Sequence, residues 1–265
     1  MRVKVGRVEN VETLRPRTLR DEVLLVLGVS LGMSAVYAIV DLVGKLTAGK
    51  PLSSQIATLN PSQAPGRPWL DLTYQLIGIF FNLVPALLAL HLLRREPGRV
   101  TTLLGLRPVR IARDLGWGAT LAAVIGIPGL GLYLGARALG LNATVQASAL
   151  PHVWWAVPVL VLSAAQNAIL EEVVVVGYLV TRLRELGWAT AAAVAVSAVL
   201  RGSYHLYQGF GGFAGNVVMG VIFALVFLRW RRLAPLIIAH TLLDVVAFVG
   251  YPYLKYVLDL LHHFR

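Results

Sequence analysis

The chain has 265 residues, of which 57% are hydrophobic and only 14% are charged, and its mean hydropathy is +0.71. Soluble domains carry about 25% charged residues, so this balance excludes a water-soluble globule and predicts a polytopic membrane protein. The chain contains no cysteine, which excludes disulfides, thiolate metal sites and a cysteine nucleophile.

Apolar segments near the roughly 20 residues that a helix needs to cross hydrocarbon predict an all-α transmembrane helical bundle. They lie at about 23–43, 73–93, 116–136, 153–180, 188–207, 214–229 and 233–250, and a short stretch at about 253–261 is ambiguous. We therefore expect seven or eight spans. The organisation predicted from this pattern is a basic segment over residues 1–22 and a single transmembrane domain over residues 23–265.

Basic residues are concentrated in alternate connections. Of the 24 Lys and Arg residues, 17 precede the first span or follow the second, fourth and sixth. By the positive-inside rule these segments and the amino terminus are cytoplasmic. The net charge of +11 is therefore mostly a record of topology and of contact with membrane lipids, and no nucleic-acid partner is expected. The Arg-, Ala-, Val- and Gly-rich composition favours a bacterial cell membrane.

Ionisable residues within the spans gather in three segments of the carboxy-terminal third, at 166–179, 201–209 and 239–244. Such side chains cost several kcal/mol at bilayer depth unless they are paired or line a wet cavity, so they are functional candidates. His91, His152, His262 and His263 lie near predicted membrane ends or in the tail, and we interpret them as interfacial residues.

Adjacent carboxylates occur in the first of these segments. On a helix Glu171 and Glu172 point about 100° apart, so one can address a cavity while the other pairs with a different helix. Asn167 lies one turn before Glu171 and is a supporting candidate. The alternative interpretation is a structural carboxylate pair that Arg201 and local hydroxyls satisfy.

Two histidines occupy the other segments. His205 follows Arg201 by four residues and His240 precedes Asp244 by four, so each pair shares a helix face. Counting 1.5 Å per residue from the expected cytoplasmic helix ends places Glu171, His205 and His240 at depths of about 16, 25 and 11 Å. These depths bracket the midplane without coinciding.

The three segments, in this order, resemble the CPBP family of intramembrane proteases, also called the CAAX-protease or Abi family. The family's first motif is two Glu followed after three residues by Arg and usually Gly, and here Glu171 and Glu172 are followed by Val176 and Gly177. The resemblance covers about residues 150–250, where we place the catalytic core.

The other two motifs of the family are also present. Phe-x-x-x-His is matched at His205, with Arg201 in the Phe position. The third motif, His followed four residues later by Asn or Asp, is matched by His240 and Asp244.

The resemblance implies hydrolysis of a peptide bond in a membrane-associated protein or peptide. It implies that Glu171 and His205 activate a water molecule, while His240 and Asp244 stabilise the oxyanion or hold the carbonyl. Glu172 belongs to the same catalytic set. Members have been described both as metalloproteases and as glutamate proteases, so the cofactor stays open between none and Zn²⁺ or another divalent metal held by Glu171, His205 and His240.

The departures from the family pattern lead to one hypothesis. Val176 replaces the family Arg, and we expect Arg201 to supply the guanidinium partner of Glu172 from another helix. The alternative is an Arg201 that reaches the outer interface.

Three functions remain to be compared. The leading prediction is an intramembrane endopeptidase. The alternatives are a catalytically silent scaffold or immunity protein that binds a partner membrane protein, and a proton-coupled transporter, because intramembrane Glu and His also build proton relays. Oligomeric state and substrate identity are not predicted.

Overall fold

The structure is a computed structural model that describes residues 16–95, 99–105, 110–151 and 153–250. Its amino-terminal half contains α1 (Pro16–Gly28), α2 (Leu31–Thr47), a 3₁₀ turn (Leu52–Ser54), β1 (Ile56–Thr58), α3 (Pro68–Asn82), α4 (Val84–Leu93), α5 (Arg99–Leu103), α6 (Ile111–Ala138) and β2 (Thr144–Gln146). The predominance of helix confirms the predicted all-α class. The short parallel pair of β1 and β2 was not expected.

The carboxy-terminal half carries the three motif segments. It contains α7 (Ala156–Glu171), a π-helical segment (Glu172–Leu179), α8 (Val180–Glu185), α9 (Thr190–Ser203), a 3₁₀ turn (Leu206–Gln208), α10 (Phe210–Trp230), α11 (Ala234–Val245) and a final π turn (Val246–Gly250). The first motif therefore lies where α7 changes to the π-helical segment. The second lies at the end of α9, and the third lies in α11.

Seven or eight spans are not confirmed. Within the described ranges, the helices long and apolar enough to cross a membrane are Pro68–Leu93, Ile111–Ala138, Ala156–Glu185 and Phe210–Trp230, and a fifth span results if α1 and α2, bent by 49°, are counted together. The predicted spans at 188–207 and 233–250 correspond to the shorter helices Thr190–Ser203 and Ala234–Gly250. The stretch at 253–261 and most of the segment 1–22 lie outside the described residues.

The predicted span at 188–207 was too long because its last residues form a turn. α9 ends at Ser203, and the 3₁₀ turn that follows leads to Gly209, which has a φ of +113°. A Cβ at Gly209 would lie 2.7 Å from the carbonyl oxygen of Leu141, so only glycine fits. A hydropathy count cannot distinguish such a turn of apolar and aromatic residues from a helix.

Close packing fixes α9 against α10. A Cβ at Gly220 would lie 2.8 Å from the Cα of Ala198, so the absence of a side chain lets the two backbones approach. The helix Ala156–Glu185 is largely enclosed by the others, since 67% of its apolar stretch is buried, against 6% for Ile111–Ala138. The adjacent carboxylates therefore lie on a central helix.

Candidate active site

The carboxylates lie at a change of helix type. Glu171 ends α7 and Glu172 begins the π-helical segment, whose wider turn is often found at functional sites. Ser197 of α9 donates a hydrogen bond of 2.9 Å to the carbonyl oxygen of Val175 within this segment. Although successive residues diverge on a helix, both carboxylates lie close to the same two side chains, Arg201 and His240.

Glu172 is the structurally paired carboxylate. Its Oε1 accepts a 2.5 Å hydrogen bond from Nη2 of Arg201 and lies 2.8 Å from Nδ1 of His240. Both Glu172 and Arg201 are 0% exposed, and the guanidinium lies 5.4 Å from the ring centroid of Phe223. The predicted pairing of Arg201 with Glu172 is confirmed, and the alternative of an interfacial Arg201 is wrong. Val176 is buried in the hydrophobic core.

Glu171 is held more loosely and is 8% exposed. Its Oε2 accepts a 2.7 Å hydrogen bond from the hydroxyl of Tyr204, and the same atom lies 3.7 Å from Nη1 of Arg201 and 4.0 Å from Nε2 of His240. Tyr204 was missed in the sequence. Its position three residues after Arg201, on the same helix face, was a usable signal.

His240 joins the carboxylates to the third motif. Because a carboxylate can only accept, Nδ1 of His240 carries the hydrogen that faces Glu172. Its Nε2 lies 3.8 Å from Oδ1 of Asp244, and Asn167 lies in α7 one turn before Glu171. The structure thus brings the side chains of Glu171, His240 and Asp244 together, although the counted depths of Glu171 and His240 did not coincide.

His205 lies at the border of this cluster. Its Nδ1 is 2.9 Å from the carbonyl oxygen of Arg201, so Nδ1 donates and a neutral ring keeps a free lone pair on Nε2. The ring packs 4.8 Å from that of Tyr204. None of the hydrogen bonds seen among the described residues joins His205 to Glu171 directly. Of the interfacial histidines, His91 is exposed near the end of α4, and the others lie outside the described residues.

The arrangement does not fit a metal centre. Among the residues that the structure describes, no group of three or more His, Asp or Glu side chains is placed to hold a metal ion. The guanidinium of Arg201 lies within 3.7 Å of Glu171, where it would repel a second cation. Nδ1 of His240 is already directed at Glu172. We therefore derive no catalytic step through a metal.

A pocket of about 500 Å³ adjoins the cluster. It is lined by α2, by β1 and by Tyr204 and Tyr207 of the turn that follows α9. Because Tyr204 also binds Glu171, the pocket and the carboxylate share one wall.

Comparison with known proteins gives one match. Residues 153–246 match the family model described as "Type II CAAX prenyl endopeptidase Rce1-like", which covers about a third of the chain and includes all three motifs. The match confirms the resemblance to the CPBP family. No curated protein and no solved structure matches the chain.

Proposed function

Because residues 153–246 match a CAAX-protease family model, we propose that the chain is an intramembrane endopeptidase acting on a membrane-associated protein or peptide. The observation that carries the proposal is the convergence of Glu171, His240 and Asp244 from α7 and α11 in the interior of an apolar bundle. We propose further that the bundle resides in a bacterial cell membrane with its amino terminus in the cytoplasm.

Glu171 is the proposed general base. The 4.0 Å between its Oε2 and Nε2 of His240 is too long for a direct hydrogen bond and suits a bridging water molecule. The water oxygen attacks the carbonyl carbon, Glu171 takes the proton that the water loses, and the proton then passes to the departing amine as the peptide bond breaks. The hydrogen bond from Tyr204 orients Glu171, and the free Nε2 of His205 offers a second proton acceptor nearby.

His240 and Asp244 are the proposed oxyanion partners. A protonated Nε2 of His240 would donate to the tetrahedral oxygen, with Asp244, 3.8 Å away, orienting the ring or, if itself protonated, donating as well. Donors of this kind contribute about 10²–10³ in rate, and a general base contributes about 10²–10⁴. The pair of Glu172 and Arg201 holds the neighbouring charges in place.

Cleavage of a peptide library by the protein in lipid nanodiscs tests the proposal. The library contains membrane-anchored and prenylated peptides, and the variants are Glu171→Gln and, as a matched control, Asp21→Asn on the exposed face of α1. We expect cleavage by the parent and by Asp21→Asn, and loss of cleavage in Glu171→Gln with an unchanged unfolding temperature. Full activity of Glu171→Gln would contradict the assignment of the base.

The silent scaffold is not favoured, because both carboxylates and His240 converge in the site. A parent that binds a partner membrane protein, yet cleaves no member of the library, would reinstate it.

A further inference from the structure

β1 has one paired edge and one open edge. The amide of Thr144 donates a 2.8 Å hydrogen bond to the carbonyl oxygen of Gln55, and the amide of Leu59 donates one of 2.9 Å to that of Gln146. Backbone groups alternate in direction along a strand, so those of Ile56 and Thr58 point away from β2. In the part of the chain that the structure describes, β2 is the only strand beside β1.

β1 lines the pocket that shares Tyr204 with the candidate active site. All three residues of β1 line the pocket of about 500 Å³, together with Tyr204 and Tyr207. The side chain of Ile56 is 60% exposed, so it does not close the edge. An extended chain lying along β1 would therefore share the pocket with Tyr204, whose hydroxyl binds Glu171.

The position of this edge relative to the site is held by backbone contacts. The amide of Ala143 donates a 2.8 Å hydrogen bond to the carbonyl oxygen of Gln208, which ties the residue before β2 to the turn after His205. The outer edge of β2 is not free in the same way, because the amide of Val145 donates to the hydroxyl of Tyr133 at 3.1 Å. The strand pair thus presents β1, and not β2, to an incoming chain.

We propose that a segment of the membrane-anchored substrate binds in extended form along the open edge of β1, as a third strand, and thereby presents its scissile bond to Glu171. The inference rests on the proposed endopeptidase function. An added strand pairs its own backbone groups with those of Ile56 and Thr58. An extended segment also exposes its carbonyl groups, which a helical substrate buries in its own hydrogen bonds.

Disulfide cross-linking tests the strand without requiring cleavage. The chain has no cysteine, so Ile56→Cys introduces a single thiol at the edge. In a Glu171→Gln background it is mixed with anchored peptides that have randomised tails and one cysteine at successive tail positions. Randomised tails are suitable because the main chain makes the proposed contacts.

A strand predicts a periodic result. Successive side chains point to opposite faces, and a disulfide forms only when the Cα atoms are about 4.4–6.8 Å apart, so cross-linking yields should alternate with a period of two. Leu139→Cys, exposed at the end of α6, is the matched control and should show no alternation.

Substitution of Thr58 gives a second test. Thr58→Pro removes the amide hydrogen on the open edge. Loss of one hydrogen bond should raise KM about 2- to 12-fold in Thr58→Pro relative to the parent, with kcat unchanged. If Thr58→Pro fails to fold, the cross-linking series decides.

The outcomes separate the two proposals. Cleavage by the parent without alternating cross-links overturns strand docking and leaves the endopeptidase intact. Alternating cross-links without cleavage support strand docking and refute the endopeptidase. Absence of both refutes both.

Discussion

Replacing Arg201 by Phe, the residue of the family motif, should destabilise this protein strongly. Arg201 and Glu172 are 0% exposed and are joined by a 2.5 Å hydrogen bond. The substitution leaves a buried carboxylate whose Oε1 retains only His240 and whose Oε2 has no hydrogen-bond partner among the described residues. Val176 on the same helix offers no replacement charge.

The expected loss follows from the burial of both charges. Breaking a buried ion pair by removing one partner costs about 3–5 kcal/mol. For a chain of this size each kcal/mol lowers the unfolding temperature by about 2–4 °C, so Arg201→Phe should lower it by about 6–20 °C. Loss of the guanidinium contact with Phe223 acts in the same direction.

The assay is the apparent unfolding temperature in one detergent at a fixed scan rate, with Arg113→Phe as the control at an exposed position of α6. A double-mutant cycle with Glu172→Gln isolates the pair. If the ion pair is the cause, the double variant loses less than the sum of the single losses. A loss in Arg201→Phe no larger than in Arg113→Phe, or strict additivity in the cycle, would refute the reasoning.

Three further predictions concern the site and its supporting turn. Tyr204→Phe removes the hydrogen bond to Glu171 and should lower kcat/KM about 10- to 100-fold. The control Tyr74→Phe, on an exposed face, should match the parent. Equal rates in the two variants would contradict the role of Tyr204. A chelator should leave cleavage unchanged, and a loss that Zn²⁺ alone reverses would show that the site rearranges around a metal. Gly209→Ala should lower the unfolding temperature more than Gly140→Ala. Both glycines have positive φ, but only at Gly209 would a Cβ lie 2.7 Å from a backbone atom, the carbonyl oxygen of Leu141. Equal losses in unfolding temperature would contradict this steric argument.

The sequence sufficed to predict most members of the cluster, because ionisable residues are scarce in an apolar chain. The same reasoning predicts the ion pair between Glu172 and Arg201, since each buried charge needs a partner. Tyr204 was not predicted, because burying a hydroxyl in an aromatic turn costs much less free energy than burying a charge. Its spacing of three residues from Arg201 was the available signal, and the 2.7 Å hydrogen bond to Glu171 gives its role.

The depth count did not establish which side chains meet. It placed the backbones of Glu171 and His240 about 5 Å apart along the membrane normal, a separation that their side chains span, since Oε2 of Glu171 lies 4.0 Å from Nε2 of His240. The count assumed straight α-helices that begin at the predicted span ends. In the structure α7 changes to a π-helical segment at Glu172, and the third motif lies in a helix of only 12 residues.

The two strands were also beyond the reach of sequence patterns. Three residues are too few to show alternation. The pairing of Ile56 with Thr144 depends on residues nearly ninety positions apart, which no local signal encodes.

The guanidinium that pairs with Glu172 comes from a different helix than in the family motif, and this changes which contacts hold the site together. In the family motif the Arg lies on the same helix as the carboxylates, so local geometry sets their distance. Here Arg201 comes from α9, and its position depends on how α9 packs against α10 at Gly220, whose missing Cβ would lie 3.3 Å from Cδ of Arg201. A buried ion pair stabilises a fold no more than well-packed apolar residues would, although removing one partner is costly. The pair of Arg201 and Glu172 therefore serves mainly to position groups. It joins α9 to the carboxylate helix and places Tyr204 against Glu171.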